Sequence, residues 1–181
     1  DLWGGYSDPQ RNNLWQEDQL VNAFSIGKGV TAVVAAQCVA LGLVSYDTRV
    51  ASVWPEFAVD GKGALTLRDL LGHRAGLPAV RTRLLPNAMF DWKVITESLA
   101  TETPWWTPGQ EHGYHVNTYG FLVGEVLRRV TGKSVGQLVS ELIATPLNAE
   151  IYLGTPSHLH SRIAEYEWPS DPFPEAEPTG L

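Results

Sequence analysis

Apolar residues recur at helical spacing over several stretches of the chain. In residues 22–37, NAFSIGKGVTAVVAAQ, a polar lip gives way to a run so uniformly apolar that it marks a buried helix over about residues 25–43. Its uncharged part, residues 29–44, is shorter than the roughly 20 residues of a membrane span and contains Gln37, so no stable membrane insertion is expected. From Thr118 the positions Tyr119, Leu122, Val123, Val126, Leu127 and Val130 form a second apolar face, and Gly132 is a ready C-terminal cap. Ser134 and Gln137 make a capping box for a third helix with Val135, Leu138, Val139, Leu142 and Ile143 on its apolar side, stopped by Pro146. Thr66 with Asp69 starts a short helix, and Asp91 caps another that runs to about Leu99. Residues 46–56 read as a loop or short helix ended by Pro55, and Trp105-Trp106-Thr107-Pro108-Gly109 as a turn. Strand character is confined to residues 2–6, which run into the turn residues Ser7-Asp8-Pro9; a lone strand needs pairing partners, and none is evident nearby. No internal repeat is present.

Composition narrows the function classes. With 44% apolar residues in 181, one domain over residues 1–167 with a proper core is expected, followed by a Pro-rich acidic tail or linker at 168–181. A net charge of −7 and the absence of a basic stripe argue against nucleic acid or an anionic membrane as partner. The single cysteine, Cys38, lies in the apolar run and cannot form an internal disulfide, which fits the cytoplasm; a periplasmic or exported location stays open if a leader was removed. His158 and His160 form a His-x-His pair that no further ligand pattern joins, so no metal is expected, and no organic cofactor is implied.

The candidate chemistry sits at the mouth of the first helix. Ser25 and Lys28 are nearly one helical turn apart and therefore share a face. A serine hydroxyl is inert at neutral pH until a base takes its proton, and a lysine serves as that base when burial or positive potential lowers its pKa. A helix N-terminus supplies such potential, and its free N–H groups are candidates to hold an oxyanion. Alone, Ser-x-x-Lys is a pair that a chain of this length holds about once by chance.

Two further segments change that. FSIGKGVTA, residues 24–32, resembles the nucleophile motif of the serine beta-lactamase and penicillin-binding superfamily, and most closely its family VIII carboxylesterases. LLGHRAGLP, residues 70–78, resembles the Leu-Leu-x-His-x-x-Gly-Leu segment of that family, and PGQEHGYHVNTYGFLVGEVLRRVTGKS, residues 108–134, its second catalytic stretch. The motifs fall in the expected order along nearly the whole chain. The resemblance implies an α+β fold of the beta-lactamase/transpeptidase type, here mainly its helical region plus an N-terminal strand. It implies Ser25 as acyl-accepting nucleophile, Lys28 as the residue that helps take its proton, and Tyr114 as general base and later acid. The substrate it implies is a small-molecule ester, with Val116 and Asn117 at the place of the family's amide-binding residue. From the residues alone, His112 and His115 either tune Tyr114 and line the pocket or fill the loop, and Trp106 with Trp105 either walls an acyl pocket or anchors the turn. His73 reads as structural.

Two departures shape the expectation. Where the lactamases and D-Ala-D-Ala peptidases carry Tyr-x-Asn, this chain reads Tyr114-His115-Val116, with Asn117 one position late. Valine cannot replace an amide hydrogen bond, which favours ester over peptide or lactam substrates. The third motif, Lys-Thr-Gly or His-x-Gly, is absent; Thr131-Gly132-Lys133 has the wrong order. The expectation is therefore a chain that lacks most of the antiparallel sheet, the remainder lying in the same or a second polypeptide. Three other readings compete: a beta-lactamase or D-Ala-D-Ala carboxypeptidase of the same fold, an alpha/beta-hydrolase, for which Ala23-Phe24-Ser25-Ile26-Gly27 falls one residue short of the nucleophile elbow, and a non-catalytic scaffold or binding member or fragment.

Overall fold

The computed structural model describes residues 2–167, so the Pro-rich segment at 168–181 lies outside the described residues. The chain divides into two compact units, Phe24–Gly154 and the described parts of Asp1–Ala23 and Thr155–Leu181.

The larger unit is built from helices around α5, Tyr119–Thr131, with α1, Ile26–Ala40, packed on it. The short helices α2, Val50–Val53, and α3, Leu67–Leu71, and the longer α4, Trp92–Thr101, also contact α5. Then α6, Val135–Val139, continues through a π turn, Ser140–Ala144, into α7, Thr145–Leu147. The core is the sum of facing stripes: Val34, Ala35 and Cys38 from α1; Leu122, Val123, Val126 and Leu127 from α5; Ile95 and Leu99 from α4; Leu67 and Leu70 from α3. Fully burying a side chain such as Leu122 or Leu127 contributes about 1.5–3 kcal/mol, which orders helices too short to persist alone.

Local signals set the helix ends. Thr66 Oγ1 accepts from the Asp69 N–H while the Asp69 carboxylate accepts from the Thr66 N–H, and Ser134 with Gln137 repeats this exchange. Asp91 Oδ1 accepts from the Val94 N–H at 3.1 Å and starts α4. Gly132, at φ 74°, closes α5 in a conformation that a Cβ would disfavour. The first helix stops at Ala40 rather than Leu43, because Gly42 takes φ 72° and its N–H turns back to the Val39 carbonyl. Pro146 does not end the third helix. It falls at the start of the last short turn, where a missing N–H is tolerated, and Asn148 at φ 49° ends the run instead.

In the smaller unit the expected N-terminal strand is reduced to one antiparallel bridge, Tyr6 to Leu14. The Asp8 carboxylate accepts from the Asn12 and Asn13 N–H groups and bends the chain too tightly for a ladder to extend. A parallel bridge joins Leu20 to Ile163: the Leu20 N–H donates to the Arg162 carbonyl and the Ala164 N–H to that of Leu20. One partner of the N-terminal segment is thus local, Leu14, and the other, Ile163, lies 143 residues downstream of Leu20, beyond the reach of any local sequence signal.

Candidate functional site

The larger unit brings Ser25, Lys28 and Tyr114 together. Phe24 precedes the helix at φ 44°, a left-handed conformation uncommon for a bulky residue, and this sharp turn delivers Ser25 to the N-cap of α1. The Ser25 hydroxyl makes no capping bond to the helix backbone, so it stays available, and Lys28 Nζ donates to its oxygen at 3.1 Å. The Tyr114 phenol is half-exposed on the other side. Hydrogen bonding with the Ser25 hydroxyl, followed by hydrogen bonding and charge from Lys28, holds its pKa below the usual tyrosine range. Lys28 Nζ also lies 5.0 Å from the centre of the phenol ring. Lys28 thus stands between the Ser25 hydroxyl and the Tyr114 ring, a cation beside both a nucleophile and a phenol of lowered pKa.

The backbone beneath these groups is partly committed. The Gly27 and Lys28 N–H groups donate to the Phe24 and Ser25 carbonyls at 3.1 and 3.0 Å. These two are therefore not free to hold an oxyanion, contrary to what the helix N-terminus alone suggests.

Tyr114 is aimed by two histidines. His73, itself at φ 58°, accepts the His115 N–H on its Nδ1 at 3.1 Å, and its ring packs 5.1 Å from that of Tyr114 and 4.7 Å from that of Tyr119. His115 is 1% exposed. Its Nε2 accepts the Leu77 N–H at 3.0 Å and its Nδ1–H donates to the Gly113 carbonyl at 2.5 Å, which fixes the neutral tautomer. Thr118 Oγ1 then donates to the Leu77 carbonyl at 2.6 Å. The loop 113–118 is thereby sewn to the loop 73–77. Burial, helped by the neighbouring His115, His112 and Lys28, pushes His73 down to about 4, and burial lowers His115 as well.

Of the candidate substrate contacts, Val116 and Asn117 line a cleft of about 460 Å³ beside Lys28. Its other walls include Phe24, Trp92, Phe121 and Leu153, and Gly27, Gly120 and Gly136 leave its floor without side chains. His115 does not line it, since its ring is buried and held by two hydrogen bonds, to the Leu77 N–H and the Gly113 carbonyl. Trp106 does not line it either. Its indole covers Gly113, where a Cβ would meet the ring at 2.5 Å, and it stands edge-on to His115, so it buttresses the tyrosine loop. His112 is exposed, 6.1 Å from the His73 ring. Trp105 is exposed too, with the Arg81 guanidinium 4.3 Å over its ring. Trp92, Phe121 and Leu153 are missing from a reading of the sequence because they reach the cleft from α4, α5 and the 150s loop, with no motif of their own. Among the described residues no cluster of three His, Cys, Asp or Glu side chains is placed to hold a metal.

Comparison with known proteins fits this arrangement. Esterase/beta-lactamase LipL of Mycobacterium tuberculosis is 36% identical over 94% of this chain and 40% of its own length. A penicillin-binding protein homologue from Caulobacter crescentus superposes with a TM-score of 0.88 at 39% identity, over 93% of this chain and 45% of that one. A family VIII carboxylesterase superposes equally well, TM-score 0.88, at 42% identity over 91% of this chain and 46% of its own. The chain spans less than half the length of these relatives. The beta-lactamase family model matches residues 1–181 throughout, and with the same helical fold at this level of identity, the chain belongs to the beta-lactamase family.

Proposed function

We propose that this chain carries the nucleophile and the acid–base residues of a serine carboxylesterase that works through an acyl-enzyme on Ser25. The observation that carries the proposal is the 3.1 Å contact from Lys28 Nζ to Ser25 Oγ, with the Tyr114 ring centred 5.0 Å from the same Nζ. Tyr114, ionised beside the Lys28 ammonium, takes the hydroxyl proton as Ser25 Oγ attacks the ester carbonyl. The tetrahedral intermediate collapses, the C–O bond to the alcohol breaks, and the Tyr114 phenol returns the proton to the departing alkoxide. A water molecule then attacks the acyl-enzyme, giving its proton to Tyr114, and the carboxylic acid leaves as Ser25 Oγ is reprotonated. No metal or organic cofactor takes part in these steps.

The preference for esters rests on Val116. It is 52% exposed in the cleft wall and offers a substrate amide no hydrogen bond, so a lactam or peptide side chain would lose its polar contacts on binding. The named relatives include an esterase/beta-lactamase and a penicillin-binding protein homologue, so lactam turnover is the competing outcome. Measured in the full-length protein, kcat/KM for a p-nitrophenyl butyrate should exceed that for nitrocefin by orders of magnitude. Comparable values would overturn the ester assignment while leaving the Ser25 mechanism intact.

The catalytic unit also needs an oxyanion hole, and two of the α1 amides are already bonded. The outer stripe of α1 and the turn after it leave Ile26 69%, Val33 50%, Leu41 60% and Leu43 49% exposed. Such a face is suited to packing against further polypeptide. We propose that a further segment, in the same or a second chain, covers it and supplies the missing donors, in a protein that acts in the cytoplasm.

A further inference from the structure

The alcohol half of an ester departs to solvent after the first step, whereas the acyl half stays bonded to Ser25 Oγ until water releases it. An apolar cleft beside Ser25 therefore favours catalysis most when it holds the acyl arm, which must remain positioned through both half-reactions. The cleft lined by Phe24 and Lys28, which flank Ser25 in the chain, is apolar, and one of its walls is fixed in an unusual way.

Trp92 opens α4, yet its indole lies across α5. Its ring centre is 5.0 Å from that of Phe121, and a Cβ on Gly124 would come within 2.7 Å of the indole, so the ring rests on bare helix backbone. Its Nε1–H donates to Glu125 Oε2 at 2.7 Å. Glu125 is 1% exposed and is held on its other sides by Arg128, at 2.8 Å to each oxygen, and by Arg129 Nε at 2.7 Å. Two guanidiniums already neutralise this carboxylate, and both stay partly exposed at the surface. The bond to the indole adds direction: it locks the largest flat side chain in the cleft wall into a single pose, where a free tryptophan would swing on its χ angles.

Resting on the acyl-enzyme reading of Ser25, we infer that Trp92, held in place by the buried Glu125, is the residue that limits the acyl group, selecting short aliphatic acyl esters against long-chain ones. Phe121, Val116 and Leu153 accept any apolar arm, and Trp92 sets how much of it fits. Glu125 is a positioning residue, since it touches the indole and not the substrate.

The test uses the full-length protein and p-nitrophenyl acetate, butyrate, octanoate and laurate. Ser25 labelling by a fluorophosphonate serves as a readout independent of chain length, and thermal unfolding checks folding. Trp92→Ala should raise the laurate-to-butyrate ratio of kcat/KM roughly tenfold or more, the scale on which apolar pockets discriminate chain length, with Ser25 still forming its adduct. Trp92→Phe keeps a ring but loses the N–H; it folds safely and should shift the ratio in the same direction by less. Glu125→Gln retains an acceptor for the indole and should keep the wild-type ratio, whereas Glu125→Ala should move it as Trp92→Phe does. A ratio unmoved in folded Trp92→Ala and Trp92→Phe overturns the inference while the Ser25 reading stands. Absence of a Ser25 adduct in the wild type overturns that reading, and this inference with it.

Discussion

In the proposed mechanism Ser25, Lys28 and Tyr114 act as one unit on a single proton. Lys28 donates to Ser25, and both hold the pKa of Tyr114 below the usual tyrosine range, as the base in the proposed mechanism requires. Ser25→Ala in the full-length protein should therefore abolish ester turnover, and Tyr114→Phe should cost about 10²–10⁴-fold in kcat, the usual share of a general acid–base group. The double variant Lys28→Ala/Tyr114→Phe should be little worse than the weaker single one. Additive losses in kcat would mean that the two residues act on separate steps. At this scale the sequence was informative for the spacing of Ser25 and Lys28 and left the direction of the neighbours of Tyr114 open. The Ser-x-x-Lys spacing placed two side chains on one helical face without any knowledge of the fold. His115, adjacent to Tyr114 in the chain, was open on paper to the same pocket or to filling the loop. In the turn, however, successive side chains diverge, and the His115 ring goes inward to the Leu77 N–H. Adjacency in a loop carries no information about direction, whereas spacing on a helix does.

At the scale of elements, the two-histidine contact between the loops at 73–77 and 113–118 decides where Tyr114 points. His73 occupies a left-handed backbone conformation that asparagine tolerates and alanine does not, and an asparagine Oδ1 sits where Nδ1 accepts the His115 N–H. His73→Asn should thus retain most of the activity. His73→Ala, which orphans that N–H and strains the backbone, should lower kcat about 10–100-fold with little change in KM. Equal kcat in the two variants would show that the contact does not position the tyrosine. The same pair sets an acid limit. Both histidines are held below their ordinary value in the folded state, His73 at about 4, so between roughly pH 6.5 and pH 4 the unfolded chain binds more protons than the folded one. Stability is then complete above about pH 6.5 and falls as the pH drops through that window; a melting temperature that rises on acidification from 6.5 to 4.5 would contradict this. The helix boundaries were legible because caps are local: Thr66 with Asp69, Asp91, Ser134 with Gln137, and Gly132 all act within one turn. The cleft wall was not, because the Trp92–Glu125 bond joins two helices across 33 residues and leaves no periodic trace.

At the scale of the molecule, the helical character was readable from apolar periodicity, and the family from three ordered motifs. The pairing of Leu20 with Ile163 was not, since a single bridge between distant segments has no compositional signature. The exposed apolar stripe at Ile26, Val33, Leu41 and Leu43 gives the account a global consequence. Residues 1–181 expressed alone should bind a hydrophobic dye strongly, self-associate and hydrolyse butyrate esters at least about 10²-fold more slowly than the full-length protein, the usual loss when an oxyanion donor is absent. A soluble, fully active and cooperatively unfolding 181-residue chain would show that no further segment is needed. The claim on which all of this depends is that Ser25 becomes acylated. The most direct measurement is intact-mass and peptide mass spectrometry of the full-length protein after brief exposure to a fluorophosphonate and, separately, to a slowly deacylating ester. The account predicts a single stoichiometric adduct on Ser25 with either reagent, lost in Ser25→Ala and slowed in Tyr114→Phe. An adduct on another residue, or undiminished labelling of Ser25→Ala, would contradict it.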